Sequence, residues 1–309
     1  MIHHARSLTA QYFGRTIHLY APVYLSNACV NDCRYCGFKR SLEFPRKTLT
    51  RDEMKPEFEY LHRVGFQSVL LLTGESPAEA GVDYVVSAIR LAKQYFSEVS
   101  LEIFPATEEE YRQFVSAGAT GLTIYQETYN EQRYAEVHPS GKKGDYHWRR
   151  NAPERALKAG FRKIGMGVLL GLSDWQEDVA ALTSHLANLI KHYWQAEFTV
   201  GFPRLKHYPT DFQPQTLVDD ETFQHIIYAM RIKFPHIGLV LSTRESAELR
   251  DHLIGAGITH ISAGSKTNPG GYQNLETAEQ FSTEDQRALK EIIAMLKEKG
   301  YDPVLKDWA

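Results

Sequence analysis

Only three cysteines occur in the 309 residues, and all of them fall between positions 29 and 36. A disulfide framework is thereby excluded, because pairing two would strand the third and leave nearly the whole chain unstapled. No apolar run approaches the ~20 residues that a bilayer-crossing helix needs; stretches such as Ser68 to Leu72 and Met166 to Leu172 have the length of buried strands. Met1 to Ala10 carry His3, His4 and Arg6 rather than an apolar core. Neither a secretory signal nor a membrane anchor is expected there, and the expected location is cytoplasmic. Charge of one sign is missing too: 35 Lys and Arg stand against 38 Asp and Glu, a formal net charge of −3, with no basic tract and no stripe of interleaved basic and aromatic residues. Nucleic acid and membranes are therefore not expected as partners, and a small-molecule substrate is. Low-complexity tracts and obvious linkers are also lacking, which favours one large domain over several.

What the chain has in quantity is alternation. Eight short runs rich in branched and aromatic residues lie at 17–26, 68–73, 99–104, 121–126, 163–170, 197–201, 238–242 and 260–263. Longer amphipathic stretches separate them, at 51–64, 82–95, 108–117, 152–159, 176–191, 219–233 and 245–255. Thr50-Arg51-Asp52-Glu53 supplies a helix N-cap before acidic first-turn residues, and Gly65, Gly118, Gly160 and Gly255 stand where helices would stop. Strands that recur with an intervening helix are parallel βα units, so the expected fold is α/β, a (β/α)8 TIM-type barrel, with an incomplete six-stranded barrel as the alternative. One domain is expected over 1–309, with a short lead at 1–16 and a tail from about 273 to 309 packing on the barrel.

The cysteines stand in Cys29-Val30-Asn31-Asp32-Cys33-Arg34-Tyr35-Cys36, directly after the first strand. That places them on a loop at the C-terminal face, where barrel enzymes build their sites. Free buried thiols scatter through a core, whereas three within eight residues beside Asn27, Asn31 and Asp32 point to ligation. Three thiolates can hold three irons of a four-iron cluster and leave the fourth open. A structural zinc would want a fourth ligand, for which His18 or His4 is available; a cluster or haem carrier on a barrel scaffold is the reading from a different class.

The CxxxCxxC spacing with Tyr35 ahead of the last cysteine resembles the signature of radical S-adenosylmethionine (SAM) enzymes. The resemblance implies a [4Fe-4S] cluster on Cys29, Cys33 and Cys36, SAM on its open iron, and a 5′-deoxyadenosyl radical that abstracts hydrogen. It further implies that Tyr35, Gly74, Glu75, Glu127 and Arg149 bind the cofactor, with Gly74-Glu75 at the SAM amino group, Glu127 at its amino or ribose groups and Arg149, or Arg150 in the next register, clamping its carboxylate. Without the resemblance, Thr73-Gly74-Glu75 reads as a strand-ending turn and Arg149 as a surface helix charge.

Further motifs narrow the resemblance: Ala21-Pro22-Val23-Tyr24-Leu25-Ser26-Asn27, Tyr125-Gln126-Glu127-Thr128-Tyr129, Phe202-Pro203-Arg204-Leu205, Ser242-Thr243-Arg244-Glu245-Ser246 and Ser265-Lys266-Thr267-Asn268-Pro269-Gly270-Gly271-Tyr272. In this order, from about Ala10 to Lys306-Asp307-Trp308, they look like the aromatic amino-acid lyase group and within it the 2-iminoacetate synthases, the tyrosine lyases of thiazole biosynthesis. The implied reaction removes hydrogen from the amino group of L-tyrosine, breaks its Cα–Cβ bond and releases p-cresol and 2-iminoacetate (dehydroglycine). Related enzymes act on tryptophan or other amino acids. Arg244, Ser262 and Arg204 become the substrate contacts; a reducing donor such as flavodoxin or ferredoxin and a thiazole-synthesis protein become the partners. Two departures bear on the pocket: the first strand arrives sooner than is common in the group, and Gly201-Phe202-Pro203-Arg204-Leu205-Lys206-His207-Tyr208 replaces a Ser-Phe-Pro-Arg-Leu-Arg pattern. No cysteine follows Cys36, against an auxiliary cluster.

Overall fold

The computed structural model describes residues 1–206 and 212–306. Helix α1 (Ile2–Phe13) precedes β1 (Thr16–Ser26), and then the chain alternates: α2 (Arg51–Val64), β2 (Ser68–Thr73), α3 (Val82–Ala92), β3 (Glu98–Glu102), α4 (Glu108–Ala117) and β4 (Gly121–Glu127). Three helices follow β4, namely α5 (Glu131–Val137), α6 (Tyr146–Arg150) and α7 (Ala152–Ala159). The second half runs β5 (Lys163–Val168), α8 (Trp175–His192), β6 (Glu197–Gly201), α9 (Asp220–Lys233), β7 (Gly238–Leu241), α10 (Ala247–Leu253) and β8 (His260–Ser262), ending in α11 (Leu289–Glu298) and β9 (Asp302–Val304).

Each strand from β1 to β8 pairs in parallel with the next, and β8 pairs back onto β1 through His18 and His260. The ring of eight is closed, so the six-stranded alternative falls and the (β/α)8 expectation holds. Strand alternation divides the side chains. On β1, Leu19, Ala21 and Val23 lie buried beneath the helices, while Tyr20, Pro22 and Tyr24 line the barrel interior.

Local chemistry sets the helix ends. Thr50 and Thr107 each form a capping box, with Glu53 and Glu110, and Gly65, Gly118 and Gly160 close α2, α4 and α7 in the left-handed conformation. Gly255 lies just past the Ile254 cap of α10. Three terminal pieces went unread in the sequence: α1, which has no side-chain cap and rests on α9, α11, and β9, which pairs with Thr16–His18 at the start of β1.

Candidate active site

The sharp exit of β1 carries the three cysteines over the C-terminal mouth. Arg46 organises this loop, donating from Nη1 to the carbonyls of Asn27 (3.0 Å) and Phe38 (2.8 Å) and from Nη2 to those of Lys39 (2.8 Å) and Leu42 (3.0 Å). One guanidinium thereby satisfies carbonyls that an irregular buried loop would leave unpaired. The sulfurs receive donors: the Phe38 amide (3.4 Å) and the Gln280 amide (3.8 Å) at Cys36, and Asn31 Nδ2 (3.8 Å) at Cys29. Gln280 comes from the stretch before α11 and accepts from the Tyr24 hydroxyl at 2.7 Å, so the tail completes the site.

Asn31 joins this loop to the next part of the site. Its amide donates to Glu75 Oε2 at 2.7 Å and its carbonyl accepts from the Lys143 backbone N–H at 3.0 Å. Glu75 follows Gly74 at the end of β2, where a Cβ on Gly74 would collide with the Ala28 carbonyl oxygen. Gly74→Ala is therefore expected to push the β1 loop away from β2. Iron bound after reconstitution should fall by more than half while the circular dichroism spectrum is kept; full iron content would show that the loop tolerates the shift.

Glu127 anchors the second cluster of polar groups. It sits in the left-handed region at φ 73, at an irregularity in the β4–β5 pairing, a conformation that costs a non-glycine residue on the order of 1 kcal/mol and persists where the surroundings enforce it. Its buried carboxylate accepts from Lys143 Nζ at 2.7 Å and pairs with Arg149 at 3.4 Å. Burial alone would raise the acid, but the two cations outweigh it and hold Glu127 below its usual range. Arg149 also donates to the Tyr125 carbonyl at 2.7 Å, so Arg149 rather than Arg150 is the arginine that reaches the strand end. Tyr35 donates to His138 Nε2 at 2.8 Å; His138 Nδ1 in turn reaches the Tyr134 carbonyl, and burial, with Lys143 nearby, lowers this imidazole to about 3. It is the neutral tautomer with its proton on Nδ1.

A cavity of about 140 Å³ runs inward from this mouth. Cys36, Tyr35, Glu127 and Lys143 border it on one side, Arg244, Ser262 and Ser265 on the other, and Leu70, Leu72, Leu169 and Phe202 between. The Arg244 guanidinium lies 3.5 Å from the centre of the Phe281 ring and makes no side-chain ion pair among the described residues. The Ser262 hydroxyl is buried in this cavity beside the Tyr20 hydroxyl. Arg204 departs from expectation. Its guanidinium is claimed by Glu245, Asp220 (2.7 Å) and the Val218 carbonyl (2.9 Å) over the Phe223 ring, which turns it away from the cavity into the barrel wall. His207 and Tyr208, whose sequence departs from the lyase pattern, lie outside the described residues, as does Asp307-Trp308.

The donor set fits a [4Fe-4S] cluster. Three thiols stand on one pinned loop, each free of disulfide, Cys29 and Cys36 receive N–H donors, and the cavity opens beside Cys36 with two cations and acids around it. His18, the fourth ligand that a zinc site would have used, instead stacks on His260 in a separate cavity at the opposite mouth. Sequence reasoning missed Lys143, Gln280 and Arg46; the Gly141-Lys142-Lys143-Gly144 turn was the only local hint of the first, and nothing local marked the others.

Residues 23–183 match the family model of the radical SAM superfamily, and residues 201–302 match that of the Biotin and Thiamin Synthesis associated domain. A 2-iminoacetate synthase of Salmonella typhimurium is 42% identical over 306 residues, covering 98% of this chain and 81% of that protein. The 2-iminoacetate synthase of Escherichia coli is 43% identical over the same shares. Among solved structures, the FeFe-hydrogenase maturase HydG from Carboxydothermus hydrogenoformans superposes with a TM-score of 0.93 at 34% identity, covering 99% of this chain and 72% of that one. No described helix is long and apolar enough to cross a membrane. With its cysteine loop, its closed barrel and likeness of this extent, the chain belongs to the radical SAM superfamily, in the lyase branch that holds the 2-iminoacetate synthases, and uses a [4Fe-4S] cluster and SAM.

Proposed function

We propose that this enzyme cleaves the Cα–Cβ bond of L-tyrosine to 2-iminoacetate and p-cresol. The observation that carries the reading is Arg244, a cation held inside the cavity that Cys36 borders, stacked on Phe281 and lacking a carboxylate of its own. Such a charge is stable in a protein interior when a ligand supplies its counter-ion.

When bound, the cluster and SAM supply a hydrogen-abstracting 5′-deoxyadenosyl radical. Cys29, Cys33 and Cys36 hold the cluster. Arg149 and Lys143, both oriented by Glu127, offer their charge to the SAM carboxylate, while Glu75 and the Gly74 backbone meet its amino group and Tyr35 borders it. The Arg244 fork takes the amino-acid carboxylate and the cavity-facing Ser262 hydroxyl hydrogen-bonds beside it, which sets the substrate nitrogen in a near-attack position. Leu70, Leu72, Leu169 and Phe202 keep water from that space. Arg204 acts indirectly, by fixing the strand-end segment that carries Glu245 next to Arg244. A low-potential donor such as flavodoxin or ferredoxin would reduce the enzyme, in a reducing cytoplasm that suits three free thiols, and a thiazole-forming protein would take up the 2-iminoacetate.

Anaerobically reconstituted, reduced protein is incubated with SAM and each aromatic amino acid. Tyrosine should yield p-cresol, glyoxylate from hydrolysis of 2-iminoacetate, and 5′-deoxyadenosine; deoxyadenosine formed with tryptophan and not with tyrosine would refute the substrate. Arg244→Lys keeps the charge but loses the planar fork, so the tyrosine KM should rise about tenfold or more with SAM affinity unchanged. Weakened SAM binding at unchanged tyrosine affinity would move Arg244 to the cofactor.

A further inference from the structure

One wall of the cavity holds a carboxyl that neither cofactor binding nor the carboxylate clamp uses. Glu102 ends β3, where alternation turns Glu98, Ser100 and Glu102 into the barrel and leaves Val99 and Leu101 fully buried behind them. In the closed ring β3 and β7 stand four strands apart, so Glu102 and Arg244, just past β7, lie on opposite walls. Glu102 is also the deeper of the two. It lines the upper cavity shared with Cys36 and Arg244 and also the lower cavity that reaches His18 and His260, whereas Arg244 lines the upper one alone. With Tyr20 and Tyr125 it forms the floor.

The Glu102 carboxyl makes no hydrogen bond or ion pair among the described residues. Burial first, and then the charge of Glu127, push it up to about 7 despite the opposing pull of Arg244, Arg149 and Lys143. Glu102 is half-buried and faces the cavity without a protein partner among the described residues, so a ligand that fills the cavity removes its remaining water and must bring a hydrogen-bonding group to it. Apolar Leu70 and Leu72 line the walls between mouth and floor, so a flat apolar group can pass down the axis while its polar tip meets the acid.

We infer that Glu102 is the specificity-determining residue that hydrogen-bonds the para hydroxyl of the substrate's aromatic ring. The assignment rests on the tyrosine reading above. An amino acid held by its carboxylate at Arg244 directs its ring toward the opposite, deeper wall; a phenol hydroxyl completes Glu102 there, and phenylalanine leaves it unpaired. Sites built around a buried polar group reject the ligand that lacks its mate far more strongly than they reject a change in apolar size.

The test uses reconstituted holoenzyme with SAM, measuring dissociation constants for L-tyrosine and L-phenylalanine by equilibrium dialysis and p-cresol formation in parallel. Wild type should favour tyrosine over phenylalanine by about 100-fold or more. Glu102→Leu should bring that ratio within about threefold, by loss of tyrosine affinity with phenylalanine affinity kept or improved, and Glu102→Gln should fall between. Iron content and circular dichroism report folding. If Glu102→Leu does not fold, Glu102→Gln decides, and a ratio that stays at the wild-type value overturns the assignment. Equal loss for both amino acids also overturns it, placing Glu102 on the substrate ammonium. A wild type that binds neither and makes no p-cresol defeats the tyrosine reading and this one with it; p-cresol from wild type with unchanged ratios in the variants defeats Glu102 alone.

Discussion

Alanine at Cys29, Cys33 or Cys36 abolishes SAM cleavage and drops the iron of anaerobically reconstituted protein from about four per chain to below one. Each thiolate anchors a different iron, so loss of one leaves a cluster with two exposed corners. Substitution by a neighbour is blocked by the loop itself. Arg46 pins carbonyls on both sides of the cysteines, and Cys33 is only 4% exposed, with no His, Asp or Glu side chain hydrogen-bonded to it among the described residues. Burial pushes the Cys33 thiol up to about 12, so a bound cluster would have to displace its proton, and the iron's charge would favour that loss. Iron and sulfide analysis with a deoxyadenosine assay checks the prediction; one bound zinc with activity retained would refute it.

Glu127→Gln is expected to destabilise the fold by about 3 kcal/mol at neutral pH, because it strands the Lys143 and Arg149 cations together in a buried site. SAM affinity should fall with it, since both cations lose their alignment. The pH dependence has a definite sign. Glu127 is held below the usual carboxylate value in the folded state, so its contribution is complete above the unfolded value of about 4.3 and is lost as pH falls through the lower folded value. The stability gap between wild type and Glu127→Gln, measured by urea unfolding, should therefore be constant from neutrality to about pH 5 and narrow below it. A gap that widens on acidification would mean that another group carries the effect.

The residues legible without a structure were those whose chemistry is local. CxxxCxxC is a compact ligand set on one loop, and its meaning does not depend on what surrounds it. The same holds for β2 and β6, whose boundaries at Ser68–Thr73 and Glu197–Gly201 match the expected runs, and for α2, α4 and α7, which end at the glycines expected to stop them. Helix α5 was not legible, being seven residues long and capped by Asn130 alone, whereas the helical reading of Arg149 holds in the five-residue α6 that Asp145 caps. In the tail, β9 was missed for a similar reason, because it is a three-residue strand that exists only by pairing with β1, and the ten-residue α11 beside it went unread as well.

By itself, then, the sequence determined the alternation of strands and helices and the ligand loop, since periodicity, capping and motif spacing are properties of neighbouring residues, whereas the acids and arginines beside the loop were named only through the family resemblance. Tertiary structure alone decided whether eight strands close, through the β8–β1 pairing, and which charged side chains remain available to a ligand. Arg204 and Arg244 illustrate the second point. Both stand in matched motifs at strand ends, yet Glu245 and Asp220 neutralise the first, while the second meets only the face of Phe281. Lys143 and Gln280 reach the site from 107 residues after and 244 residues after Cys36 respectively, as do the carbonyls that Arg46 gathers from nearer by. Contacts of that kind depend on which side chains the closed barrel brings within a few ångströms of one another, and no pattern along the chain encodes the distance.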